Sequence, residues 1–284
     1  MQPRKFTSSH VEELKKKNRK IFKIKVIIFS VVFLLFLVGL YFLSRWNEIN
    51  ISKIEIHGNK VLDSRVIEEQ IQKEINGKYL WLFPKTNFVL APRSKIKKDL
   101  YTNFRRIEDI SFDLSDSKTL KVDILERRPV YTWCGEALPA IDLRPEDTVC
   151  QFMDNQGYVF DTAPYFSGDA YFRFYGPLED YYYGGENFYN FILFISNLEH
   201  IGINPVSLVL KPEDEIEIYL SANIPPPDGP KIILNNESDL LKIYQNLEAA
   251  IKTDPLKTEF KDKYFSLLYL DLRFNNKVYY KFKE

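Results

Sequence analysis

The sequence predicts an α+β protein with a single N-terminal transmembrane helix, then a small β-α-α-β-β domain, then a larger β-rich domain with two helices. Three observations predict it. The stretch Val26 to Leu43, VIIFSVVFLLFLVGLYFL, carries no charge. From Ile51 to Glu126 the apolar period changes from that of a strand to that of a helix and back. Beyond Val130 short β-like runs dominate, interrupted by two stretches at helical spacing.

Residues 26–43 as a helix are about 27 Å long, enough to cross a hydrocarbon core. A cleaved signal peptide is the competing reading, but its apolar core is usually about 7–15 residues and ends in a small-x-small site. Here Ser44-Arg45-Trp46-Asn47 follows, with a Trp suited to the membrane interface. Residues 1–25 form a basic tail, Arg4 and Lys5 included, with net charge +7 against −7 for the rest of the chain. That bias predicts a single-pass protein of the cytoplasmic membrane, N-terminus inside and bulk outside. The acidic remainder is a poor match to phosphate backbones, so nucleic-acid binding is not expected.

Cys134 and Cys150 lie in the external portion. An oxidising compartment permits a disulfide closing a loop of about 15 residues, worth about 3 kcal/mol in the chain-entropy model; two buried thiols are the alternative. Two Cys and the scattered His10, His57 and His200 make no metal-ligand set.

Residues 51–57 alternate as a half-buried strand, and Gly58-Asn59 turns the chain. Asp63 or Ser64 can cap a helix with Val66, Ile67, Ile71 and Ile75 on one face, stopped at Asn76-Gly77. A loop with Pro84 and Pro92 leads to a second helix from near Ser94, with Ile96, Leu100 and Phe104 in step. Strands at 107–114 and 120–126 complete a mixed sheet with both helices on one face, and Arg127-Arg128-Pro129 marks the exit.

In the larger domain, strands are expected at 130–134, 150–154 and 158–160, then 206–210, 215–220 and 230–234. One helix covers 186–199; another, capped by Ser238, runs to about Lys252. The chain closes with a hairpin, Ser266 to Phe274 and Lys277 to Phe282 about a two-residue Asn275-Asn276 turn.

No nucleophile elbow, zinc-protease helix or phosphate loop is present, so no catalytic residue, cofactor or small-molecule substrate is expected. The acidic run Glu213-Asp214-Glu215 with Glu217 reads as a solvated face. Tyr165 to Phe194 holds 13 aromatics, Tyr181, Tyr182 and Tyr183 among them, which read as core packing or as a platform for sugars or a partner. The terminal strand is the sharper candidate. A last strand is expected at a sheet edge, where unpaired N–H and C=O groups can take an incoming strand. Val278, Tyr280 and Phe282 face one way there, Tyr279 and Lys281 the other; the edge ends in Lys281, Lys283 and Glu284, which can equally act as gatekeepers against pairing.

The layout resembles the FtsQ/DivIB family of bacterial cell-division proteins. "IEIHGNKVLDSRVIEEQI" looks like the first strand and helix of that family's POTRA domain, here 51–127. "LKVDILERRPVYTWC" resembles the exit from it, "FMDNQGYVF" an early hairpin of the β domain, here 128–284, and "LLYLDLRFNNKVYYKF" its terminal hairpin. The resemblance implies a non-catalytic scaffold of the division septum. Its POTRA domain would help localise it, and its terminal edge, Val278 to Phe282, would add a strand from FtsB/FtsL-like partners. Two alternatives stand beside it: a POTRA-containing polypeptide-transport protein, and a membrane-anchored cell-wall glycan binder using the aromatic segment.

Overall fold

The computed structural model describes residues 9–113, 115–139, 148–212, 214–222, 224, 226–236, 238–274 and 277–283. Arg4, Lys5, Leu114, Glu213 and the Asn275-Asn276 turn therefore lie outside the described residues. Helix α1 (Ser9–Ser44) is continuous, and its Lys15–Ser44 portion is long and apolar enough to cross a membrane. The apolar side chains Val26 to Phe36 are all exposed, a pattern that suits lipid surroundings. The helix also runs through the lysines before the apolar stretch, because Lys and Arg are good helix formers and no breaker intervenes.

The chain divides into two units, Met1–Glu126 and Arg127–Glu284. In the first, α1 is followed by a 3-10 turn at Asn47–Ile49 and strand β1 (Lys53–His57). Then come α2 (Ser64–Ile75), a short hairpin of β2 (Lys78–Tyr79) and β3 (Phe83–Pro84), α3 (Arg93–Asn103), β4 (Ile107–Asp113) and β5 (Thr119–Glu126). The sheet order is β1-β5-β4, with β1 parallel and β4 antiparallel to the central β5.

Alternation along β5 buries Leu120, Val122 and Ile124 beneath Ile67, Ile71 and Ile75 of α2 and Ile96 and Leu100 of α3. Each such side chain contributes about 1.5–3 kcal/mol on burial. Asp63 is the cap of α2, its carboxylate accepting the Arg65 N–H at 2.8 Å. Val66, placed by periodicity on the apolar face, is exposed instead. The β2–β3 hairpin occupies what reads in sequence as plain loop.

Two residues of the quoted motifs do structural work here. Gly58 has φ +82°, and a Cβ there would lie 2.3 Å from the Ile124 carbonyl oxygen. Only glycine allows both that left-handed turn and so close an approach to β5. The Glu126 carboxylate is buried and accepts the backbone N–H groups of Lys60 (2.7 Å), Val61 (3.1 Å) and Leu62 (3.0 Å), holding the turn that leads into α2.

The second unit is β-rich. Its first elements are β6 (Tyr131–Trp133), β7 (Gln151–Met153), β8 (Val159–Thr162), β9 (Arg173–Tyr175), β10 (Leu178–Glu179), β11 (Tyr182–Tyr183) and α4 (Phe188–His200). Then follow β12 (Pro205–Leu210), β13 (Glu215–Leu220), β14 (Lys231–Asn235), α5 (Leu240–Ile251), α6 (Leu256–Lys263), β15 (Leu267–Asp271) and β16 (Tyr279–Phe282). Nine strands form one sheet in the order β16-β15-β14-β13-β12-β9-β6-β7-β8.

The main core brings Phe191 and Leu198 of α4 and Ile243 and Leu247 of α5 together with Leu208, Ile218, Ile232 and Leu270 of the sheet. A smaller cluster of Cys134, Tyr175, Val209 and Tyr219 forms separately, and Cys134 is disulfide-bonded to Cys150.

Several expectations are corrected. Where the sequence reading gives this domain two helices, α6 is an additional one; only Leu256 and Phe260 mark it, too short a stripe to read against a charged background. Asp239 rather than Ser238 caps α5, accepting the Lys242 N–H at 3.1 Å. The acidic run is a solvated face only in part: Asp214 is exposed and Glu215 half-buried, while Glu213 lies outside the described residues. Glu217 is buried on β13, within 2.8 Å of Lys211 Nζ, 2.5 Å of Lys231 Nζ and 2.6 Å of the Tyr219 hydroxyl. Burial would raise the Glu217 carboxyl, but the hydrogen bonds from these three groups outweigh it and hold it below the ordinary carboxylate range.

Candidate functional site

Strand β16 is the outermost strand of the nine-stranded sheet. Strand β15 pairs antiparallel with it on one side, and no strand among the described residues lies on the other. β15 in turn runs parallel to β14, a pairing made possible by the helical crossover through α5 and α6. The opposite margin of the sheet differs. There the small β10–β11 hairpin closes over the start of β8: Val159 N–H donates to Tyr181 O (2.8 Å) and Tyr183 N–H to Gly157 O (2.9 Å).

Register decides which backbone groups of β16 face outward. The Lys283 N–H donates to Ser266 O at 2.6 Å, toward β15. Alternation along an extended strand then turns the N–H and C=O of Tyr280 and Phe282 to the open side. Side chains alternate in the perpendicular direction. Val278, Tyr280 and Phe282 pack against the main core, and the Tyr280 and Phe282 rings meet edge-on at 5.6 Å. Tyr279, 47% exposed, and Lys281 project away from it.

The hairpin itself differs from expectation. Its strands are shorter than expected: β15 ends at Asp271 and β16 starts at Tyr279, while the Lys277 N–H donates to Phe274 O at 3.0 Å across the Asn275-Asn276 turn, which lies outside the described residues. The cause is Asp271, whose carboxylate turns back to accept the Arg273 N–H at 3.1 Å and pairs with the same residue's guanidinium. Burial alone would raise the Asp271 carboxyl; hydrogen bonds and charge from Arg273 prevail and keep it low. Arg273 Nη1 also reaches Glu215 of β13 at 2.7 Å.

Beside the edge stands an aromatic, Phe274, that the sequence reading did not single out. Phe274 is exposed and meets the Tyr279 ring edge-on at 5.3 Å. A large exposed aromatic next to an edge strand is a signal only once the strand order is known.

The aromatic segment divides. Phe174, Tyr183, Phe188, Phe191 and Phe194 are core, and the Tyr183 hydroxyl donates to Tyr175 O at 2.8 Å. Tyr181 and Tyr182 are exposed on the β10–β11 hairpin and cluster with Tyr158, over whose ring the Arg127 guanidinium lies at 4.1 Å. Arg127 also pairs with the buried Asp154 at 2.6 Å, and Asp154 accepts the N–H groups of Gln156 and Tyr158. The "DNQGY" turn and the first Arg of "RRP" thus meet in one contact. Among the described residues, no group of three or more His, Cys, Asp or Glu could hold a metal ion.

No family model matches this chain, and no curated protein matches it.

Proposed function

We propose that this chain is a membrane-anchored, non-catalytic scaffold of the FtsQ/DivIB type, with a POTRA-like first domain and a partner-binding β domain. In this reading α1 crosses the cytoplasmic membrane once with its basic end inside, and both domains work outside the cytoplasm at the division septum. Partners of the FtsB/FtsL kind supply a strand that pairs with β16. The observation that carries the proposal is the open side of β16, toward which Tyr280 and Phe282 turn their backbone groups. The β1-α2-α3-β4-β5 order and the mixed three-stranded sheet support the POTRA-like part.

The β16 edge carries Lys281 and Lys283, so it is not a purely apolar surface. A cationic edge limits indiscriminate pairing while leaving room for a partner segment with acidic side chains. The test is copurification of the FtsB/FtsL-like pair with the full chain and with a chain ending at Asn276. Loss of the pair on truncation, with the remaining circular dichroism intact, supports the proposal; retention of the pair by the truncated chain overturns it.

A further inference from the structure

The last turn of α1 is tied to the loop after β3. Asn87, buried, donates from Nδ2 to the Ser44 carbonyl at 3.1 Å, and Asn50 Nδ2 donates to the same oxygen at 3.0 Å. The Phe88 N–H donates to Ile49 O and the Ile51 N–H to Thr86 O, both at 2.8 Å. A helix-end carbonyl that would otherwise need water is thus satisfied by this loop. The loop is consequently fixed at the height of the C-terminal end of α1.

What the loop presents there is apolar. Leu80, Trp81 and Val89 are 82%, 90% and 75% exposed, and Leu82 and Leu90 are exposed beside them. Leu80 and Trp81, at φ +48° and +61°, are the central pair of the turn closed by the Leu82 N–H to Tyr79 O at 2.9 Å, in the three-residue tip of the β2–β3 hairpin. Asn-Gly is the favourable choice for such a turn, and a bulky residue in that conformation costs about 1–2 kcal/mol. Between loop and helix lies an open hollow of about 420 Å³, lined by Leu40, Leu43, Tyr79, Phe83, Val89 and Leu90. It is continuous with the apolar surface of α1. Cations flank it: Arg45 lies over the Tyr41 ring at 4.3 Å, Lys85 over Tyr79 at 5.8 Å and Arg93 over Phe88 at 4.9 Å.

We propose that the β2–β3 hairpin and residues 86–90 insert into the bilayer that α1 spans, as a second membrane contact beside the helix. Trp81, Leu80 and Val89 enter the boundary between headgroups and acyl chains, acyl chains fill the hollow, and Arg45, Lys85 and Arg93 meet anionic headgroups. Continuity with α1 and the flanking cations favour lipid over a protein occupant. The contact would fix the tilt and height of the first domain at the membrane surface. It rests on α1 spanning the membrane and is independent of what β16 binds.

The test uses the full chain in vesicles of phosphatidylcholine and phosphatidylglycerol, with or without bromine on the acyl chains. Trp46, Trp81 and Trp133 are the tryptophans, so the emission difference between wild type and Trp81→Phe isolates Trp81. The substitution falls on an exposed side chain and leaves the fold intact. Bromolipid is expected to dim the Trp81 emission about twofold or more, while aqueous iodide leaves it nearly unchanged. Quenching by iodide and not by bromolipid overturns the proposal. So does protection from both, which would mean a second copy covers the tip. Flotation with the vesicles reports α1 separately: a chain that floats with Trp81 in water loses only this proposal, and one that fails to float loses the membrane span as well.

Discussion

Arg273 closes on Asp271 through two contacts, Nε to Oδ1 at 3.0 Å and Nη2 to Oδ2 at 2.6 Å. Its remaining arm pairs with Glu215 on β13. The Asp-Leu-Arg motif is therefore a clamp that ends β15 and ties the connection into β16 to a strand nearer the sheet's centre. In the proposed strand addition, an edge fixed in this way would be ordered before a partner arrives, which would lower the entropic cost of binding.

This clamp and the separate Glu217 cluster both make stability pH-dependent. Asp271 and Glu217 both titrate below their ordinary values in the folded protein. Such groups add stability that is present above the unfolded value of about 4 and is lost as pH falls through the folded value. The thermal midpoint should change little from about pH 7 to pH 5 and drop below about pH 4. Asp271→Asn should flatten part of that drop and lower the midpoint at pH 7, because Arg273 loses its carboxylate. Melting curves of both proteins across this range check it; an unaltered acid drop in the variant would count against the clamp.

Tyr280 separates side-chain packing from strand pairing. Its ring packs against the core while its N–H faces the open edge, so Tyr280→Ala and Tyr280→Pro both lose the ring, but only proline loses the N–H. Both should cost roughly 1–3 kcal/mol of stability from lost packing. Partner binding in a pull-down should survive alanine and fail with proline.

The disulfide closes over the Tyr175, Val209 and Tyr219 cluster. Cys134 and Cys150 are 16 positions apart, and releasing a loop of that size costs about 3 kcal/mol. Cys150→Ala should lower the urea midpoint by that free energy divided by the denaturant slope, and reductant should do the same to wild type but not to the variant.

Gly58→Ala should be among the most damaging small substitutions in the first unit, costing more than about 2 kcal/mol from left-handed strain plus the approach to Ile124 O. Gly77 also has positive φ, but a Cβ there meets nothing within 4 Å. Gly77→Ala should therefore cost less, and chemical denaturation of the two variants measures the difference.

The helices of the first unit were legible because Ile67, Ile71 and Ile75 repeat at helical spacing under an Asp cap. The strands β9, β10 and β11 were not, since they are only two or three residues long, too short for an alternation to show. Glu217 was misread because alternation along β13 suggests a wet face, while Lys211, Lys231 and Tyr219 enclose it. Strand β15 ends earlier than its sequence suggests, at Asp271, whose side chain competes with the ladder for backbone partners. Alternation along β16 agrees between sequence and structure, but its place at the sheet margin depends on strand order, which no local pattern encodes.

The most direct measurement is backbone hydrogen exchange at Tyr280 and Phe282, resolved residue by residue, in the full chain with and without the FtsB/FtsL-like pair. Strand addition should slow exchange at these two amides about tenfold or more, and leave Tyr279 and Lys281, already turned toward β15, much less affected. Partner binding with unchanged exchange at Tyr280 and Phe282 would contradict it.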